Sequence, residues 1–175
     1  MRVRPILMIT AAAVCCGCTG MRAKPVTAVA VLESRSASSA SGRAELRESK
    51  DHQRVLVHIE MRGLAANSVH GFHVHDKGDC SAADASSAGP HFNPTGSTHG
   101  SVDSLIHHAG DLPVLTADAA GTLKTDFIMR DLSLAPGANS IVGRSLVLHR
   151  DVDDYMTQPA GNSGPRIACG VIVAG

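Results

Sequence analysis

Hydrophobic and polar residues alternate along much of this chain, with the period of strands rather than of helices. Val55, Val57, Ile59 and Met61 are interleaved with Leu56, His58 and Glu60, and side chains two apart on a strand share a face. Leu123, Thr125, Phe127 and Met129 repeat the pattern between Lys124, Asp126 and Ile128. Further strands are expected over 27–34, 42–48, 69–76, 112–117, 141–150 and 167–174, with Asp118-Ala-Ala-Gly121 as a hairpin turn. About eight short strands without a helical period predict an all-β sandwich or barrel.

Two stretches break this rhythm. Residues 77–110 are rich in Gly, Ser, Ala, Asp and Pro and carry Cys80, His91, His99, His107 and His108, with Asp111 directly after. An irregular run of this length in a compact domain is functional or pinned by something. A shorter irregular run, 151–165, precedes Arg166.

Ahead of the first strand, Arg2 and Arg4 precede the apolar run 6–14, which is too short to span a bilayer and is shaped like a signal peptide. The small residues before Cys18 resemble a bacterial lipobox, although Cys15 stands where Leu or Val is usual. Residues 1–17 are therefore expected to be a signal peptide, Cys18 a lipidated first residue, and 18–26 a tether to a domain over 27–175. Simple cleavage to a soluble product is the alternative. Thr19 replaces the aspartate that commonly holds lipoproteins at the inner membrane, so the expected place is the periplasm, anchored to the outer membrane.

Composition narrows the chemistry. In 175 residues, 43% are hydrophobic and 18% charged, which describes a folded domain rather than a disordered tail. Lys+Arg 16 against Asp+Glu 16 argues against a general nucleic-acid binder. With no Trp, one Tyr and three Phe, stacking platforms for bases or sugars are not expected. Ten His stand out, and imidazole is the commonest metal ligand. Inside the expected domain over 27–175 only Cys80 and Cys169 remain. In an exported chain such a pair reads as a disulfide, with two thiolate ligands as the competing reading.

The histidine spacing is informative. His73-Val-His75 on a strand points both imidazoles to one face, which makes half of a tetragonal copper site or, more plainly, two polar residues on a wet face. His149 ends a strand-like run and could equally be a surface histidine. His91, His99, His108 and Asp111 form a mixed N/O set suited to a closed tetrahedral zinc site, whereas scattered loop histidines are usually solvated.

These residues carry a resemblance. Gly71-Phe-His-Val-His75, Gly89-Pro-His-Phe-Asn-Pro94, His108-Ala-Gly-Asp111, Leu146-Val-Leu-His149 and Gly161-Asn-Ser-Gly-Pro-Arg-Ile-Ala-Cys-Gly-Val-Ile172 resemble the copper/zinc superoxide dismutase family, in order, from about residue 27 onward. Lys77-Gly-Asp-Cys80, Gly110-Asp-Leu-Pro113 and the short 151–165 run are similar to its bacterial, exported branch. The resemblance implies a flattened eight-stranded Greek-key β-barrel, the family being itself an instance of immunoglobulin-like sandwich architecture. It implies copper held by His73, His75, His91 and His149, and zinc held by His91, His99, His108 and Asp111, one of each per subunit. His91 would bridge the metals and take part in catalysis, and Arg166 would dock the anion. Asp153 would link a copper-side to a zinc-side histidine, and Cys80 and Cys169 would form the disulfide.

The reaction so implied is 2 O₂⁻ + 2 H⁺ → O₂ + H₂O₂, protecting the exported compartment; a non-catalytic copper/zinc buffer is the alternative. The expected partners are superoxide, a lipid anchor at Cys18 and a homodimer, with no nucleic acid. Pro165 before Arg166 and Ala160 at the rim depart from the family pattern without removing a ligand.

Overall fold

The computed structural model describes residues 26–50 and 54–175. The expected signal peptide, Cys18 and nearly all of the tether lie outside the described residues. Among the described residues the chain forms nine strands: β1 (Thr27–Ser34), β2 (Ser41–Glu48), β3 (Arg54–Arg62), β4 (Val69–His70), β5 (Phe72–His75), β6 (Leu115–Thr116), β7 (Leu123–Arg130), β8 (Ser145–His149) and β9 (Arg166–Ala174). The single helical element described is one 3-10 turn at Ser86–Ala88.

The class is all-β, as the alternation predicts. Seven strands make one curled antiparallel sheet in the order β5-β8-β9-β1-β2-β3-β7, and β4 pairs with β6. This is the half-barrel of a Greek-key β-barrel. Alternation sets its walls: in β3 the residues Val55, Val57, Ile59 and Met61 are buried while Arg54, Leu56, Glu60 and Arg62 face outward. Leu32, Leu46, Ile59, Phe72, Leu146, Leu148 and Ile172 meet in the core. Each such side chain contributes about 1.5–3 kcal/mol on burial.

Two local expectations need correction. The strand expected over 69–76 is broken at Gly71, where the chain changes partner: β4 lies beside β6, whereas β5 lies beside β8. Gly71 donates its N–H to Asp151 O (2.8 Å) and accepts from His149 N (2.8 Å), so its backbone leaves both ladders. The turn at Asp118–Gly121 forms, with Gly121 at φ +73° and its N–H on Asp118 O. It is a corner rather than a hairpin, because β6 pairs with β4 while β7 pairs with β3. Turn chemistry determines that the chain reverses, not which strand it then meets.

The long irregular run is fastened at several points. Phe92 N–H donates to Val74 O (2.8 Å), Val74 N–H to Gly110 O (2.9 Å) and Gly110 N–H to Phe92 O (2.8 Å), so the run lies along the free edge of β5. A Cβ at Gly110 would collide with the backbone of Val74 and Phe92. The Cys80–Cys169 disulfide ties the run to β9, and the Arg144 guanidinium stacks over the Phe92 ring at 3.6 Å.

Candidate metal centre

Phe72 and Val74 of β5 enter the core, so the alternating His73 and His75 face the fastened loop instead. On the neighbouring β8, Leu146 and Leu148 enter the core, so alternation carries His149 to the same side, where a register irregularity against β9 makes Arg166 its partner. The loop brings His91 against His75 as an isolated bridge partner, and Asp111 against His73. The result is a buried nest of imidazoles, with the His73 and His91 rings stacked at 3.9 Å and those of His75 and His149 at 5.5 Å.

Hydrogen bonds assign the ring nitrogens. His75 Nδ1–H donates to Gly89 O (2.8 Å) and His149 Nδ1–H to Gly164 O (3.2 Å), which leaves both Nε2 atoms with lone pairs, 3.3 Å apart. His73 Nε2 is held by Asp153 Oδ2 (2.8 Å), and its Nδ1 is buried without a partner. His91 Nε2 is the second buried nitrogen without a partner. The four residues offer ligand atoms within 4.8 Å of one another. Four inward-facing imidazole nitrogens with no donor among them suit a cation that prefers nitrogen, as copper does. Burial holds His75 and His149 well below the usual histidine range and lowers His73 to about 4, so all three stay neutral and able to ligate.

A second group shares His91. The Nδ1 atoms of His91 (2.8 Å), His99 (3.0 Å) and His108 (3.2 Å) converge on Oδ1 of Asp111, and the His91 and His108 Nδ1 atoms are 3.4 Å apart. A tetrahedron with zinc–ligand bonds of 2.0–2.1 Å has edges of about 3.3 Å, so the contacts are near those of a closed zinc site. Asp111 Oδ2 accepts from the backbone N–H of Gly100 and His108, which fixes the carboxylate. Burial alone would raise Asp111, but the histidines and these N–H donors outweigh it and keep it ionised. Burial likewise opposes charge on His99, yet Asp111 and Asp153 together raise it to about 9.

Asp153 joins the groups, taking His73 on Oδ2 (2.8 Å) and His99 on Oδ1 (2.9 Å). Its Oδ1 also accepts from Tyr155 N–H. Gly161, at φ +63°, packs so closely on this carboxylate that any side chain there would displace it. Arg166 is the cross-strand partner of His149 and donates to Ala85 O and Gly89 O, both at 2.7 Å. Its guanidinium therefore stands half-buried at the nest, and its charge helps keep His75 and His149 unprotonated. His107 lies in neither group; its Nδ1 turns to His108 O. Arg150 forks onto the neighbouring Asp151 at 2.9 Å instead of reaching inward.

Sequence reasoning missed two supports. His70, the buried last residue of β4, donates from Nδ1 to His149 O (2.8 Å). Gln158 clamps the backbone of His99 from both sides, accepting its N–H and donating to its C=O, each at 2.9 Å. Neither has a local sequence signal, since both act on main-chain groups far along the chain.

Comparison with known proteins agrees with this arrangement. The description of copper/zinc superoxide dismutase (SODC) matches residues 40–172. The chain is 43% identical over 153 residues to the superoxide dismutase [Cu-Zn] of Schizosaccharomyces pombe, covering 84% of this chain and 97% of that one. It is 41% identical over 140 residues to the superoxide dismutase-like protein YojM of Bacillus subtilis, covering 77% and 70%. To the extracellular superoxide dismutase [Cu-Zn] of Brugia pahangi it is 39% identical over 158 residues, covering 85% and 76%. With matching sequence over most of its length and two buried ligand groups that share one histidine, this chain belongs to the copper/zinc superoxide dismutase family.

Proposed function

We propose that this chain dismutates superoxide to dioxygen and hydrogen peroxide. In this reading His73, His75, His91 and His149 hold copper, and His91, His99, His108 and Asp111 hold zinc. The observation that carries it is the pair of partnerless buried nitrogens, His73 Nδ1 and His91 Nε2, in a nest that also receives the Arg166 charge. Copper held there supplies one-electron exchange in both directions, while zinc, without redox chemistry, supplies fixed positive charge. His91 is anchored through Nδ1 on Asp111, so only its Nε2 is open to hold a proton and pass it to the product. Arg166 remains charged at any working pH and is braced by two carbonyls, so it docks an anion without having to reorganise. Asp153 orients His73 and His99 together, a role in which an outer hydrogen-bond partner tunes its ligands.

A copper/zinc buffer would use the same ligands but would have no need of a braced cation beside them. Metal analysis of the purified protein together with a dismutation assay separates the readings: metallated and active is expected, and metallated but inactive favours the buffer.

The finer reading concerns place. The Cys80–Cys169 disulfide supports an oxidising, exported compartment. Residues 1–17 then direct export to the periplasm, Cys18 carries lipid at the outer membrane, and 18–26 tether the domain. Fatty-acid labelling that is lost in Cys18→Ala is the expected result; equal labelling of the variant would overturn the anchor.

A further inference from the structure

The Arg166 guanidinium is aimed by two pieces of chain that must be held together. The start of β9 carries the residue, and the disulfide-tied loop supplies the carbonyls of Ala85 and Gly89 that brace its tip. The Cys80–Cys169 bond joins the two at one point. A second joint lies in the turn between β1 and β2. The β1–β9 ladder runs as far as Ser34 opposite Ala168, and Arg35 extends it by donating its backbone N–H to Ile167 O (2.9 Å). The same Arg35 donates from Nε to Cys80 O (2.8 Å). Ser36 donates its backbone N–H to Ala83 O (2.7 Å) and its Oγ–H to Arg166 O (2.9 Å). Two successive residues thus bond once each to β9 and once each to the loop.

The backbone of this turn is unusual. Ser36 and Ala37 both lie in the left-handed region, at φ 52° and 57°, where residues other than glycine are uncommon. Such a conformation persists when the surroundings over-determine it, and the bonds to Ala83, Arg166 and Ile167 do so here, the last also accepting from Ser38 Oγ (2.6 Å). Arg35 is only 17% exposed along its side chain, and its bond to Cys80 O comes from a charged donor, the stronger kind. We propose that Arg35 and Ser36 are positioning residues for anion docking: their turn clasps β9 to the disulfide-tied loop and so sets where the Arg166 guanidinium points. The proposal rests on the docking role given to Arg166 above.

The path from turn to guanidinium is short. Ala85 follows Ala83 by two residues and donates its N–H to Ala82 O (2.9 Å), while Gly89 N–H is held by Ser86 O (3.1 Å). Ala85 and Ala88 are fully buried and pack with Val147 and Cys169. The two bracing carbonyls therefore move with the loop, and a loop released from the turn carries them away from the strand that bears Arg166. A docking cation acts through its fixed direction as well as its charge, so the expected loss is in anion affinity. Gly89 O also accepts from His75 Nδ1, so metal content is read alongside.

The test titrates azide, a small monoanion that ligates copper, into the copper- and zinc-loaded protein and follows its charge-transfer absorption. Arg35→Gln is expected to weaken azide about two- to tenfold, as loss of one hydrogen bond predicts. Ser36→Ala removes no charge and breaks an exposed bond, so its effect lies at the lower end. In an Arg166→Met background neither substitution should weaken azide further, because a residue acting through Arg166 is not additive with it. Metal content is verified first, and where Arg35→Gln loses metal, Ser36→Ala alone decides. Parental azide affinity in the single variants, even with a lowered melting temperature, would make the turn a structural support and overturn the proposal. Equal weakening with and without Arg166 would assign the effect to the charge of Arg35 itself and overturn it too. Unchanged affinity in Arg166→Met alone would overturn the docking role and this proposal together. Azide affinity is read without turnover, so a metallated parent that binds azide but does not dismutate would overturn the proposed activity and leave the positioning intact.

Discussion

The two ligand groups share His91 yet are built in opposite ways. His73, His75 and His149 stand on β5 and β8, whose ladder pairs Phe72 with Leu148 and His75 with Ser145. Backbone pairing places these rings, and neutral carbonyls hold two of them in the tautomer that leaves Nε2 open. His91, His99, His108 and Asp111 come from irregular chain and meet on a single carboxylate oxygen. Burial keeps the strand-borne histidines neutral, whereas His99, held between Asp111 and Asp153, is raised to about 9. The strand-borne group is thus a preformed set of acceptors. The loop-borne group is a knot of imidazoles gathered on one ionised carboxylate, and its closure fastens the loop.

That contrast can be broken from either side. The largest effect is expected from His149→Ala, which removes a proposed strand-borne ligand without disturbing the knot. Copper content and dismutation should fall by more than the about 10–100-fold that loss of an outer hydrogen-bond partner costs, with zinc largely retained. Metal analysis checks this, and parental activity would show that His149 is no ligand.

Arg166→Glu tests chemistry apart from ligation. Both metals should remain, while dismutation drops at least about tenfold because encounter and docking both use this charge. The salt dependence of the rate should weaken or reverse in the variant, as measured by competitive dismutation after metal content is verified.

Changes to the loop should read out in stability first. Cys80→Ser removes the tie to β9 and is expected to cost about 2–5 kcal/mol. Asp111→Ala opens the knot and should lose zinc and lower the melting temperature, because metal binding is coupled to folding. The copper-loaded fraction of either variant should still turn over, and parental melting curves in both would refute the fastened-loop argument.

The smallest effect is a pH dependence of the metal-free protein. The folded-state values of His73, His75 and His149 lie below the unfolded value of about 6.5. Below that pH the unfolded chain binds more protons, so stability is full above 6.5 and declines toward pH 4. His99 acts with the opposite sign: raised to about 9, its contribution is full below 6.5 and is lost as pH rises through 9. Melting temperatures of metal-free protein should therefore peak near neutrality, with the steeper decline on the acid side.

Much of this was legible in the residues alone. Alternation in β3 and β7 located walls and core, and the His73-Val-His75 spacing placed two imidazoles on one face. The irregular run announced that something must fasten it. Its attachment to the edge of β5 was not legible, because Val74, Phe92 and Gly110 make that contact through main-chain atoms that every residue carries. The same reason hid Gln158 from view, and Gly71 gave no sign that the strand would change partner there.

By itself the sequence determined the strand class, the set of candidate ligands and the resemblance to a family, because periodicity and motif spacing are local properties. Only the tertiary structure decided which ring nitrogens stay open, that Asp153 takes His73 on one carboxylate oxygen and His99 on the other, and that β6 and β7 part company after a well-formed turn. Those outcomes depend on which acceptor reaches a given atom across tens of residues. Such distances are set by closure of the barrel, not by any neighbour along the chain.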